Sequence, residues 1–397
     1  MNFKDFLKSK ELNEGGNISI FRDGKTLTAD KIDLQRFSIL NFREEFFKLF
    51  SALNKKFKEK FDEPLWKNEN DLRSGVLFNG STSYIMNKDL NPDDILKHKK
   101  HAGDVDIMVP KEHMRNLWDL LKELENKKFA GFTYLGNNRD NPNAIGTQIN
   151  ALFKFHNKQG DINCQVDFEE ADFEDDKPTE WSRFAHGSSF EDAQKSIKAF
   201  HHKLLLRALT GALTHNPNIV IATPSSTPKK ITLKKTKDTG ARMGQFSVDR
   251  GLGFGYEPLL DEKGEQIFMD GKAVYKEKKV TDKVYIQDLE TIFDFLFNTK
   301  QDIQKFYSFI GLVELLKKHA DKQSLEDTRK RYFEILFGYG AQIIESYSAD
   351  DDYSVKIIGY DYFLKHLHLK HATKEKEIKE YYKRNAQKFE KQQALKA

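Results

Sequence analysis

The sequence predicts a mixed α/β protein: a sheet of antiparallel and parallel strands with helices on one side, then a β-rich insertion and a C-terminal helical domain. Three observations lead there. Between Val76 and Glu170 short alternating runs, such as DVDIMVP and DINCQVDFEE, take turns with helical periodicity, the pattern of strands and helices sharing one core. From Lys229 to Lys283 the runs are short, β-like and Gly-punctuated, and from Ile286 onward the spacing is helical.

At 397 residues the chain suits two or three domains. The expected divisions are an N-terminal arm at 1–34, an α/β domain at 35–222, the β-rich piece at 223–285 and helices with a basic tail at 286–397. Hydrophobic residues make up 38% and charged ones 32%, too apolar for wholesale disorder. The single cysteine, Cys164, rules out an internal disulfide framework and fits a reducing compartment. The N-terminal MNFKDFLKSKELNEGG has no apolar leader core, and no run reaches the roughly 20 apolar residues of a membrane helix. The expectation is a cytoplasmic protein with no membrane partner.

A net charge of +4 from 65 basic and 61 acidic residues decides little by itself. Its distribution says more. KKITLKKTK (Lys229–Lys237) and the C-terminal tail are basic, whereas DFEEADFEDD (Asp167–Asp176) is acidic. This fits an acidic metal centre with separate phosphate-binding surfaces; solvated faces are the plainer account, and the better one for the tail.

Taken in order, Phe3–Glu11 reads as a short helix, and ISIFRDGKTLTA as a hairpin turning at Asp23-Gly24. From Gln35 to Phe61, Ile39, Phe42, Phe46, Leu49, Phe50, Leu53 and Phe57 recur at helical spacing, so a long helix packs behind the sheet. Val76–Asn79 reads as a strand leading into a Gly80-Ser81 turn, and Asp104–Val109 as a strand followed by a helix over 111–127. AGFTYLG, TQINALFKFH and DINCQVDFEE are further strands, the last two joined by a turn at NKQG. One helix is expected over 190–214, and PSSTP (Pro224–Pro228) marks a break.

The chemistry gathers around two of these strands. Residues i and i+2 of a strand face the same side, so Asp104 and Asp106 project together while Val105 and Ile107 enter the core. Paired carboxylates beside a Gly-Ser turn suit hard divalent cations carrying a triphosphate. Asp167 offers the third carboxylate, and Glu169, on the same face, competes for that place. An isolated Asp-x-Asp is more often an exposed strand edge; the turn before it and the distal Asp distinguish this one. Gly80 and Ser81 would offer backbone N–H groups and a hydroxyl to phosphates. The run Lys97–His101 reads equally as a phosphate contact or a solvated loop. Arg250–Gly255 lacks the strand-before, helix-after setting of a phosphate loop. His186, His201 and His202 read as structural rather than zinc ligands, and Cys164 as core.

This pattern, apolar-Gly-Ser, a spacer, Asp-apolar-Asp-apolar and a distal strand Asp, resembles the DNA-polymerase-β-like nucleotidyltransferase superfamily. GDVDIMVP (Gly103–Pro110) is similar to the family-X signature, and FAHGSSFEDAQKSIKAFHHKLLLRAL (Phe184–Leu209) to the family segment beside the incoming nucleotide. The likeness spans Val76–Leu209; the spacer from Gly80 to Asp104 is longer than the family's and carries the insertion IMNKDLNPDDILKHKK. No helix-hairpin-helix motif of the family-X type is found. The resemblance implies a nucleotidyltransferase-type sheet and a two-metal enzyme that uses an NTP or dNTP. Asp104, Asp106 and Asp167 would hold two Mg²⁺ ions, or Mn²⁺, with Asp167 as proton acceptor; Gly80, Ser81, Gly187, Ser188 and Lys203 would line the nucleotide. For Gly187-Ser188 a helix cap at Ser188 or Ser189 is the structural alternative, and for Lys203 an exposed surface. The implied acceptor is a nucleic-acid 3′ hydroxyl of RNA or DNA. Alternatives are nucleotidylation (AMPylation, for example) of a protein or small molecule, and a non-catalytic binding protein that keeps the fold.

Overall fold

The computed structural model describes residues 18–22, 25–137, 148–157, 160–212, 220–222, 243–247, 250–254, 256–277, 284–297, 299–338 and 349–369. The expected helix at Phe3–Glu11, the turn residues Asp23-Gly24, PSSTP, the basic run Lys229–Lys237 and the basic tail lie outside them. The described residues fall into two compact units: the chain passes from the first to the second between Ser196 and Ile197, inside the span 35–222 expected as one domain, and Ala349–Asp351 count with the first. Among the described residues no helix is long and apolar enough to cross a membrane.

The first unit runs β1 (Ser19–Arg22), β2 (Lys25–Thr28), α1 (Ile39–Phe61), α2 (Gly80–Met86), α3 (Pro92–His98), β3 (Asp104–Pro110), α4 (Met114–Glu123), β4 (Lys128–Phe129), β5 (Phe132–Asn137), β6 (Gln148–Asn157), β7 (Gly160–Ala171), α5 (Glu180–His186) and α6 (Phe190–Gln194). Strands β3 to β7 form one mixed sheet in the order β3-β7-β6-β5-β4. The pair β3–β7 is parallel, with Asp106 opposite Asp167, and the other pairings are antiparallel. This is the mixed sheet the alternating pattern implies.

Side-chain alternation divides the sheet into two unlike faces. Val105, Ile107 and Val109 of β3, Ile149, Ala151, Phe153 and Phe155 of β6, and Cys164, Val166 and Phe168 of β7 join the stripe of α1 and Leu117, Leu120 and Leu121 of α4 in one core. At roughly 1.5–3 kcal/mol for each large apolar side chain buried, this face carries most of the unit's hydrophobic stabilisation. On the other face Leu135 and Leu152 meet Ile18, Ile20 and Ala29, which dock the β1–β2 hairpin. Asp104, Asp106, Asn150, Gln165, Asp167 and Glu169 share that face, with Met108 and Ala171 at its end.

The long helix begins at Ile39 because Ser38, at φ 64°, breaks the chain after a separate turn, Leu34–Phe37. It ends at Asp62 in the left-handed conformation. Buried Arg43 reaches from α1 to the start of the insertion, donating from Nε to Ile85 O (2.6 Å) and from Nη2 to Asn87 O (2.7 Å) and Leu90 O (3.2 Å). The insertion itself folds as α3, capped by Asn91 and anchored by buried Ile95. Lys97 pairs with Asp94 on that helix, at 2.6 Å and largely exposed, so this cation of the run belongs to a solvated face.

Two expectations change in form. Val76–Asn79 is not a strand: Gly75 is left-handed, Val76 and Leu77 turn, and Phe78 alone bridges to Ile107. The helix foreseen over 190–214 is broken by Ser196 at φ 59° into α6 and a second helix, Ala199–Ala212, and this break is where the units divide.

The second unit holds two small sheets from strands between Val220 and Ile286, one mixed and one antiparallel. Helices Ala199–Ala212, Leu289–Phe297, Phe309–His319 and Lys322–Gly338 complete it, with the helix Ala349–His366 from Asp352 onward. Arg250–Gly255 supplies the strand Gly251–Phe254, as expected of a β segment. His201 hydrogen-bonds Tyr332 in a buried aromatic cluster with Phe309.

Candidate metal centre

The polar face of the sheet is organised by the free edge of β3. An open edge invites pairing with another chain, and here it is covered from within. Met108 N donates to Leu77 O (2.8 Å), and Asn79 N to Asp106 O (3.1 Å). Asp106 N donates to Thr82 Oγ1 (3.1 Å), and Trp66 Nε1 to Met108 O (2.8 Å). Asn54 of α1 holds the Trp66 backbone from both sides. The VLFNGST run therefore lies along the aspartate strand by paired backbone groups without being a strand.

That zipper sets Gly80 directly beside Asp106. Gly80 sits at φ +52°, and a Cβ there would collide with Asp106 Oδ2. Only glycine meets both demands, since it takes φ > 0 cheaply and has no side chain to displace the carboxylate. Helix α2 starts at this residue. Ser81 hydrogen-bonds Tyr84, whose burial pushes its phenol up to about 12.

Asp104 and Asp106 project from β3, and Asp167 from the parallel neighbour β7. One oxygen from each lies within 4.8 Å of the others. Among the described residues this is the one group of three or more acidic, His or Cys side chains with ligand spacing. Asp104 and Asp106 are half-buried, while Asp167 is only 4% exposed.

Asp167 is held by amides. Asn150 Nδ2, across the β6–β7 ladder, donates to Oδ1 (2.8 Å), and Gln165 Nε2 donates to Oδ1 and Oδ2 (2.8 Å each). Burial, reinforced by the charges of Asp104 and Glu169, pushes the Asp167 carboxyl up to about 7, against the lowering effect of the Asn150 and Gln165 bonds. A divalent cation among the three carboxylates would offset that cost. The all-oxygen donor set is the one that Mg²⁺ or Mn²⁺ prefers, so the residues fit such an ion.

Glu169 does not join the triad. Its Oε2 accepts from Asn79 Nδ2 and lies 3.4 Å from His186 Nδ1. Asn79 is 1% exposed, and its Oδ1 has no hydrogen-bond partner within the protein. Of the other site residues foreseen, Gly187 and Ser188 lie in the first unit after α5, where Ser188 O is 3.5 Å from Ser83 Oγ of α2. Ser189 occupies the N-cap position of α6 without a side-chain cap bond. Lys203 lies on the helix Ala199–Ala212 of the second unit, and the first unit's cluster forms without it. His201 and His202 are in the second unit as well, and His186 is in the first. Cys164 is buried, its thiol donating to Phe153 O (3.3 Å).

Sequence reasoning passed over Gln165, Asn150 and Asn79. Gln165 and Asn150 share the polar face with Asp167, a fact already written in the alternation of QVD and NAL.

No protein-family model, curated protein or solved structure matches the chain.

Proposed function

We propose that the chain is a divalent-metal-dependent nucleotidyltransferase of the polymerase-β-like kind, moving a nucleoside monophosphate from an NTP or dNTP to an acceptor hydroxyl with release of pyrophosphate. One observation carries the reading. Three carboxylates from two parallel neighbouring strands come within 4.8 Å beside a glycine that begins a helix, in the motif order of that superfamily.

Asp104, Asp106 and Asp167 would hold two Mg²⁺ or Mn²⁺ ions, whose chemistry there is to neutralise triphosphate charge and lower the pKa of the acceptor hydroxyl. The chain's own contribution is positioning. Asn150 and Gln165 orient Asp167, the edge bonds of Leu77–Thr82 orient Asp106, and the bare Cα of Gly80 leaves room for both a carboxylate and a phosphate. Gly80 and Ser81 are the proposed phosphate contacts; Gly187 and Ser188, tied to α2 through Ser83, line the nucleotide. Lys203 belongs to the proposal by resemblance alone.

A nucleic-acid 3′ end is the first-choice acceptor, because the polymerase-like GDVD segment is joined to strongly basic stretches at Lys229–Lys237 and in the tail. The test is a screen of labelled NTPs and dNTPs with Mg²⁺ against single-stranded, duplex and tRNA-like primers, with Asp104→Ala as control. Label on an oligonucleotide, lost in the variant, supports the reading. Label found only on protein or metabolite moves the acceptor to the alternative class, and transfer undiminished in Asp104→Ala removes the site.

A further inference from the structure

We propose that Gln165 is a positioning residue of the metal centre and that the N-terminal hairpin sets its orientation through the backbone N–H of Ile18. The inference deepens the reading above and rests on it. Gln165 is 3% exposed, on the same face of β7 as Asp167. The two ends of its amide have different partners. Nε2 donates to both oxygens of Asp167, and Oε1 accepts from Ile18 N at 2.8 Å. A flipped amide would set its oxygen against a carboxylate and its NH₂ against an N–H. Either contact is repulsive, so Ile18 and Asp167 together admit one orientation.

Counting lone pairs shows what the arrangement achieves. A carboxylate has about four acceptor sites. Asn150 and Gln165 fill two on Oδ1, and Gln165 fills one on Oδ2. The capacity that remains is on Oδ2, which makes it the oxygen for a cation. Polar groups that orient a ligand in this way commonly change metal affinity by about ten- to a hundredfold when removed.

Ile18 is well placed to act as the fixed point. It packs with Ile20, Ala29, Leu135 and Leu152, its carbonyl accepts from Ala29 N (3.1 Å), and the next residue, Asp30, exchanges two bonds with Asn163 of β7: Asp30 N to Asn163 O (2.7 Å) and Asn163 N to Asp30 Oδ2 (2.9 Å). A hairpin far from the carboxylates in sequence thereby reaches them through one buried amide.

The experiment is a Mn²⁺ titration of the full chain followed by electron paramagnetic resonance, with thermal unfolding in parallel. Wild type is expected to bind Mn²⁺ and Asp104→Ala to lose it. Gln165→Leu, close in size and without polar groups, should weaken binding about ten- to a hundredfold, as should Ile18→Pro, which removes the single N–H. Ile20→Ala loosens the same small cluster and should lower the unfolding temperature while Mn²⁺ affinity stays at the wild-type value. In the transfer assay, half-maximal Mn²⁺ should rise in Gln165→Leu more than turnover falls. Wild-type affinity in Gln165→Leu overturns the positioning role. Equal weakening in Ile18→Pro and Ile20→Ala overturns the part assigned to the N–H. Should Ile18→Pro not fold, an ester in place of the Ile18 amide removes the same donor and is read the same way. A wild-type chain that takes up no Mn²⁺ overturns the metal centre itself, and that outcome is distinct from the others.

Discussion

The two faces of the five-stranded sheet are made by alternate residues of the same strands, yet they are built on opposite principles. On the helix side Phe153 and Phe168 have no exposed surface and sit among other rings, Phe153 with Phe129, Phe132 and Tyr134. Nothing there needs direction, because apolar contact is proportional to area and tolerant of angle. On the other side Asp167 and Gln165 are buried nearly as deeply, but each contact is a hydrogen bond with a specified donor. One face supplies stability and the other spends some of it on a geometry. Like charges within 4.8 Å are unfavourable for folding and useful only to a cation.

The sharpest way to break this comparison is Asp106→Asn. Transfer should fall about a thousandfold, while the unfolding temperature should hold or rise because one of three mutually repelling charges is gone. A variant that loses stability and keeps activity would invert the roles assigned to the two faces. Phe153→Ala, on the helix face, should cost about 3–5 kcal/mol in urea unfolding and leave the Mn²⁺ affinity of the folded fraction unchanged.

Arg43 offers an intermediate case, a charged group on the helix side that acts by direction. Arg43→Met removes its bonds to the carbonyls of Ile85, Asn87 and Leu90 and should cost about 2 kcal/mol. Proteolysis should then find the segment before α3 first.

A pH-dependent effect comes from His202, a buried polar group in the second unit. Burial holds its imidazole down to about 4 although its Nε2–H donates to Phe306 O at 2.8 Å. The unfolded chain takes up this proton near 6.5 and the folded one only near 4. Stability is therefore full above 6.5 and falls as pH drops toward 4, by at most about 1.4 kcal/mol per pH unit. His202→Gln should flatten that part of the stability curve.

Much of this organisation was legible in the chain. DVD and QVD show which aspartates share a face, since a strand's period of two is local, and the hairpin from β6 to β7 followed from its alternating arms. What the sequence could not show is register. That Asp106 faces Asp167, and Asp167 faces Asn150, depends on pairing between distant strands. Gln165 and Asn150 were visible as polar residues on the right face, but their partners arrive only with the sheet, and Ile18 N is a backbone group with no side-chain signature. Leu77–Thr82 misled for a related reason. Its apolar start looks like a strand, yet it bonds to an edge that exists only once β3 is in place. Ser38 and Ser196 broke expected helices because a non-glycine residue at positive φ is set by its surroundings.

The parallel pairing of β3 with β7 has a kinetic consequence. Antiparallel neighbours joined by a hairpin can zip up locally, whereas strands running the same way must wait for the intervening helix and hairpin to be laid down. The carboxylates consequently come together only once that pairing forms, and an ion added during refolding is expected to speed no phase that precedes it.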